Sequence, residues 1–226
     1  MISPSRRART SSICLGLLVV AAMATGCGSS GSSSTASAGV VTHASPSLAA
    51  GSGSTVGGAS GAPGGVVTVP ASGHVSGVYP ARCRAVDGGQ RPDPTCTPGA
   101  VQDAVTQATI GSTICRHGWT ATVRAPESET TKVKKAAMIA YGEPASTSST
   151  TELDHFVPLE LGGSNDVRNL WPEPSDEPGR GVGNSKDEVE NHLNAAVCRG
   201  QVGLVAAQQA IAADWTTAEQ TLGVAR

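Results

Sequence analysis

The sequence predicts an α+β domain: a two-stranded hairpin and a following helix, with additional helices and disulfide-held loops, behind a disordered Gly/Ser-rich tether. Three observations predict it. Residues 151–161 and 167–171 are apolar runs parted by Gly162-Gly163-Ser164-Asn165-Asp166, the pattern of two strands and a turn. Ser185-Lys186-Asp187-Glu188 matches a capping box and opens a run of helical apolar spacing that reaches Cys198. Residues 28–79 contain no Asp, Glu, Lys or Arg, and 25 of the 52 are Gly or Ser. Such a stretch buries too little apolar surface to offset its ordering entropy.

At the N-terminus, Arg6, Arg7 and Arg9 precede the apolar run Ile13 to Met23, whose eleven residues are too few to span a bilayer as a helix. Residues 1–26 therefore read as a signal peptide. The pattern around Arg6-Arg7 does not extend to a twin-arginine signal, which leaves the export route open. Ala24-Thr25-Gly26-Cys27 resembles a bacterial lipobox, which implies a lipid anchor on Cys27 and a place on the outer face of the cytoplasmic membrane. Residues 27–79 follow as the tether, with a reach of roughly 40 Å for a Gly/Ser coil of that length. His43 and His74 fall within it as solvated residues.

Export removes Cys14 and lipidation occupies Cys27, leaving Cys83, Cys96, Cys115 and Cys198. An even count outside the cytoplasm reads as two disulfides. Three pairings are possible, and loop length favours Cys83 with Cys96 and Cys115 with Cys198. A zinc site is the weaker alternative, because no two of the four have the close C-x2-C spacing of structural zinc.

Residues 80–226 form one domain of charged and punctuated sequence. Residues 82–99, rich in Pro, Gly and Asp, read as a disulfide-held loop, and residues 100–108 are ambiguous. Residues 132–141 predict a helix with Val133, Ala136, Ala137 and Ala140 on one face and Lys134 and Lys135 on another, stopped by Gly142. These lysines are a solvated face or candidates for phosphate contacts. In residues 151–161 Pro158 breaks the strand ladder, and Pro172-Glu173-Pro174 ends the returning strand. The helix after Ser185 buries Val189, Leu193, Ala196 and Val197, and a last helix, residues 204–222, turns Ile211 and Trp215 inward. Trp119, Trp171 and Trp215 read as core.

The run Asp154-His155-Phe156-Val157-Pro158-Leu159-Glu160-Leu161-Gly162-Gly163-Ser164-Asn165-Asp166-Val167-Arg168-Asn169-Leu170 resembles the HNH endonuclease signature over 17 residues. Trp171-Pro172-Glu173-Pro174 and Lys186-Asp187-x-x-Glu190-Asn191 resemble a secreted bacterial branch of that family, and weaker likeness extends back to about Cys83. The resemblance implies a ββα-metal core and metal-dependent hydrolysis of phosphodiester bonds in DNA or RNA. His155 is then the general base, Asp154 a metal ligand, and Asn169 the brace that bonds backbone near His155. Asn184, or Asp187 one turn on, supplies the helix-side ligand for a divalent ion: Mg²⁺ first, with Mn²⁺, Ni²⁺ or Zn²⁺ as alternatives. On an extended strand Asp154 and His155 point to opposite sides unless the strand is distorted there, and the resemblance implies that Asp154 turns toward the metal.

Such residues are wanted together because hydrolysis needs a base for water and positive charge against the growing negative charge on phosphorus. Neutral imidazole is available near pH 7. Arg168, Arg180 and Lys186 flank the site as phosphate contacts or solvated charges, and His117 and His192 are surface or structural, with His192 an auxiliary ligand as the alternative. Without the signal arginines the chain carries thirteen Lys+Arg against eighteen Asp+Glu, a formal −5. That excludes a broad basic face and demands a local patch for a nucleic-acid partner. The expected form is a monomer. A cell-envelope binding module that keeps the fold without turnover is the competing class. An amidase or peptidase lacks a nucleophile motif or multi-His zinc motif.

Overall fold

The structure, a computed structural model, describes residues 65–177, 179 and 181–224. The signal segment, Cys27, His43 and Arg180 lie outside the described residues. The architecture is mixed α+β, with two small sheets, helices packed around them and two disulfides.

The fold starts earlier than the boundary at residue 80. Strand β1 (Val67–Val69) pairs in parallel with β2 (Ala100–Gln102), Val67 opposite Ala100. Farther on, Val75 N–H donates to Glu129 Oε2 at 2.9 Å, His74 Nδ1 meets Glu129 Oε1 at 2.7 Å, and the Tyr79 hydroxyl donates to the Leu170 carbonyl at 2.9 Å. Residues 65–79 therefore belong to the domain rather than to the tether, and His74 has a partner. The physical reason is the β-branched run Val66-Val67-Thr68-Val69, whose strand preference is masked when composition is averaged over the Gly/Ser-rich stretch before it.

The central hairpin pairs β3 (Thr151–His155) with β4 (Leu170–Pro174), antiparallel, with Asp154 opposite Trp171 and His155 opposite Leu170. The first strand begins as predicted but stops six residues early, and the second lies three residues farther on than its predicted span. Phe156 still donates to the Asn169 carbonyl at 2.8 Å, but Pro158 has no N–H to offer, and Leu159–Leu161 coils into a 3-10 turn. On the return, Val167–Asn169 forms another 3-10 turn, and Pro172 and Pro174 extend β4 rather than ending it, as an edge strand permits.

The connection is closed by a single side chain. Asn169 is fully buried; its Oδ1 accepts from Val157 N at 2.9 Å and Ala100 N at 3.2 Å, while its Nδ2 donates to Val157 O at 2.9 Å and Ser164 O at 3.0 Å. Glycine is needed beside it, because a Cβ on Gly163 would lie 1.8 Å from the Val157 carbonyl oxygen. Gly162 takes φ +82°, the left-handed region that only glycine adopts freely, and there a Cβ would lie 2.7 Å from Val105.

Helices α1 (Trp119–Val123) and α2 (Glu127–Tyr141) precede the hairpin. Helix α2 begins five residues before its predicted start, with Glu127 and Glu129 in the first turn where the helix dipole favours acids. Its buried face is Ala137, Met138 and Tyr141; Ala136 is exposed, and so is Ile139. Helix α3 (Lys186–Cys198) follows the hairpin and buries Val189, Leu193, Ala196 and Val197 as expected. The predicted last helix is two, α4 (Leu204–Asp214) and α5 (Ala218–Leu222), broken just after the inward-facing Trp215.

The main core gathers Val157, Leu161, Val189, Leu193, Ile211 and Trp215, and a smaller one gathers Tyr141, Phe156 and Trp171. Trp119 packs in the first, so all three tryptophans are core. The disulfides pair Cys83 with Cys96 and Cys115 with Cys198, the latter tying the segment before α1 to the end of α3.

Candidate active site

His155 ends β3 and Asn169 braces the loop that follows, so the imidazole is held between strand, loop and helix. The ring is buried, and Nε2 lies 2.9 Å from Asn165 Oδ1. Nδ1 has no hydrogen-bond partner among the described residues. Burial lowers the pKa of His155, the bond to Asn165 and the charge of Asp154 acting against it, so the neutral ring predominates near pH 7.

The ring lines a cavity of about 440 Å³ together with Leu153, Arg124, Ala125, Glu127, Thr130 and Lys134. The Arg124 guanidinium has no ion-pair or hydrogen-bond partner among the described residues. Lys134 spends one donor on the Ser148 carbonyl at 2.8 Å and keeps two. With Glu127 the only acid in the lining, the cavity is locally cationic within an acidic chain. It offers a base, two fixed or semi-fixed cations and room for a small anionic group.

Asp154 faces the other way, as period-two alternation demands. Its Oδ2 accepts from Lys186 Nζ at 2.9 Å and from Trp171 Nε1 at 3.1 Å. Lys186 is fully buried, pairs also with Glu190, and donates to the His155 carbonyl at 3.2 Å. Burial pushes the ammonium toward its neutral form, but Asp154, Glu190 and Glu173 outweigh this and hold it charged. One ammonium does not balance three acids. Burial, against the pull of Lys186, pushes Glu190 up to about 8, and burial and the Asp154 charge push Glu173 well above the usual carboxylate range. Glu152, nearby on β3, is raised to about 7, by burial and then by Asp154 and Asp187.

No protein-family model, curated protein or solved structure matches this chain.

Asp154 and Asp187 lie near enough for the charge of Asp154 to raise the Asp187 carboxyl, while the side-chain bonds of Asp154 and Asn184 go to other groups. Asp154 is committed to Lys186 and Trp171. Asn184 donates to the Pro174 carbonyl at 3.0 Å and accepts from Lys186 N at 3.0 Å, which is the work of a helix cap. It displaces Ser185 from that role: the Ser185 side chain makes no capping bond and turns to Asp176. Asp187 is exposed, its pKa raised by burial of its carboxyl and by Asp154. Among the described residues no three His, Cys, Asp or Glu side chains are grouped to hold a metal ion. In the Asp154–Asn184–Asp187 set, Asp154 Oδ2 is taken by Lys186 and Asn184 caps α3, so a divalent cation there would compete with the buried ammonium.

Of the other candidates, Arg168 is bound back to Asp166 at 2.8 Å, Lys135 and His117 are exposed, and His192 pairs with Glu219 at 2.6 Å. Two residues at the site carried no assignment from sequence. Arg124 follows a short helix with no motif around it. Asn165 sits within the HNH-like run, where Gly162-Gly163-Ser164-Asn165-Asp166 reads simply as a turn.

Proposed function

We propose that the domain is an HNH-type phosphodiesterase acting on DNA or RNA outside the cytoplasm, with His155 as general base. The observation that carries it is the His155 ring, neutral and with no hydrogen-bond partner on Nδ1 among the described residues, lining a cavity with Arg124 and Lys134. The order β3, Gly-rich loop, β4, α3, braced by Asn169 across its loop, supports a ββα-metal core. The two disulfides support an oxidising compartment. A Cys27 lipid anchor at the outer membrane face, a monomeric state and a nucleic-acid partner belong to the same proposal.

The chemistry follows from the side chains. A phosphate in the cavity is neutralised by Arg124 and Lys134, which favours the phosphorane over the ground state as charge builds on the non-bridging oxygens. Water attacks phosphorus while Nδ1 of His155 takes its proton, and the 3′ oxygen leaves and is protonated from solvent. A divalent ion held by Asp154, Asn184 or Asp187 would add positive charge against the phosphorane, but Asp154 is bonded to Lys186 and Asn184 caps α3, so no step here is routed through it.

The test is to incubate the protein with plasmid, linear DNA and RNA under Mg²⁺, Mn²⁺, Ni²⁺ or Zn²⁺, and with a chelator. Cleavage in any arm supports the proposal; inertness in all of them removes it. One observation favours a second reading, a non-catalytic envelope binding module: Lys186 neutralises the carboxylate that would otherwise serve a metal. Binding of nucleic acid or wall polymer without turnover is its signature.

A further inference from the structure

We infer that Asn165 is a positioning residue, which locks His155 in the Nε2–H tautomer and so presents the Nδ1 lone pair to the cavity. The geometry around the amide decides its orientation. Asn165 is almost fully buried, and its Nδ2 lies 2.9 Å from the Ser72 carbonyl oxygen and 2.8 Å from that of Val123. Carbonyl oxygens only accept, so both must receive the two N–H bonds of the amide. A flipped amide would set its oxygen against two carbonyls. Oδ1 is therefore the atom facing His155 Nε2 at 2.9 Å, and an amide oxygen can only accept. A neutral ring satisfies it solely with hydrogen on Nε2.

Two consequences follow for the reaction. Nδ1, the nitrogen without a hydrogen-bond partner among the described residues, is the basic one, and it belongs to a ring that lines the cavity with Arg124 and Lys134. When Nδ1 takes a proton, the Nε2–H bond to Asn165 persists, so the ring need not turn between the neutral and charged states. Preorganisation of this kind removes a reorganisation cost from the barrier. Ser72 lies in the segment before residue 80, so the N-terminal extension of the domain takes part in setting the base.

The inference about catalysis rests on His155 being the base, whereas the tautomer itself does not, and the experiment separates them. The full-length chain is labelled with ¹⁵N-histidine, and His155 is assigned among the five histidines by its loss in His155→Gln. The expected spectrum shows protonated, pyrrole-type Nε2 and unprotonated, pyridine-type Nδ1 for His155 in the wild type, and a tautomer mixture in Asn165→Ala. In parallel, kcat for nucleic-acid cleavage falls about 10- to 100-fold in Asn165→Ala with KM unchanged, the usual cost of losing a group that orients a reactive one. If Asn165→Ala does not fold, Asn165→Ser carries the same readouts. A wild-type ring with hydrogen on Nδ1, or a variant whose tautomer is unchanged, overturns the lock. A wild type with the expected spectrum but no cleavage supports the lock and overturns the hydrolytic reading.

Discussion

Replacing Asn169 with Ala removes four hydrogen bonds, of 2.9, 3.2, 2.9 and 3.0 Å, from a fully buried position. Each is worth about 1 kcal/mol net, which gives about 4 kcal/mol. The backbone groups of Ala100, Val157 and Ser164 are left behind without that partner, and unsatisfied buried groups cost more than lost bonds, so about 4 kcal/mol is a lower figure. For a domain of this size 1 kcal/mol moves Tm by about 2–4 °C, so a fall of about 8–16 °C is expected. Urea unfolding of wild type and Asn169→Ala at neutral pH measures the difference, with calorimetry for Tm. A loss under about 1 kcal/mol at unchanged m-value would refute the reasoning, because the hairpin connection would then be held by something other than this side chain.

Four further outcomes are expected. Replacing Cys115 and Cys198 by Ala opens a loop of 83 residues and costs about 4.5 kcal/mol in the chain-entropy model, against about 3 kcal/mol for the 13-residue loop of Cys83 and Cys96; denaturant titration of the two double variants gives the order. Glu190 has a folded pKa of about 8 against an ordinary value of 4.5, so the folded state keeps a proton that the unfolded state releases. Stability from this group is present below pH 4.5 and is lost as pH rises through 8, and Glu190→Gln flattens that slope in melts taken across the range. A chain beginning at Pro80 lacks β1 and the contacts of His74, Val75 and Tyr79, and it melts below one beginning at residue 65; equal melting temperatures would return those residues to the tether. Gly163→Ala forces a clash with the Val157 carbonyl, and soluble expression with wild-type Tm would contradict the close approach seen there.

The parts of the fold legible in the sequence are those where local pattern and tertiary demand agree. The α3 stripe of Val189, Leu193, Ala196 and Val197 is helical in period and packs as such. Of the three possible disulfide pairings, the one that loop length favours is the one formed. Asn169, read through the HNH resemblance as the brace of the hairpin, does bond backbone on either side of it. Legibility fails where a long-range partner decides. Nothing local shows that Val67–Val69 will find Ala100–Gln102, or that Ser185 will turn from its helix to Asp176. At the site, nothing local to Asp154 shows that Lys186, 32 residues on, will be buried against it. Arg124 and Lys134 become cavity residues only when α2 packs beside β3.

The central claim, that His155 acts as a base on a phosphodiester held in this cavity, is tested most directly by single-turnover cleavage with wild type and His155→Ala on the best nucleic-acid substrate. The ring makes one side-chain hydrogen bond among the described residues and borders a cavity, so the variant is expected to fold, as circular dichroism and Tm will verify. A positioned general base contributes about 10²–10⁴-fold, and the rate is expected to fall by at least that lower figure, about 3 kcal/mol in barrier. A folded His155→Ala that cleaves as fast as wild type would contradict the account.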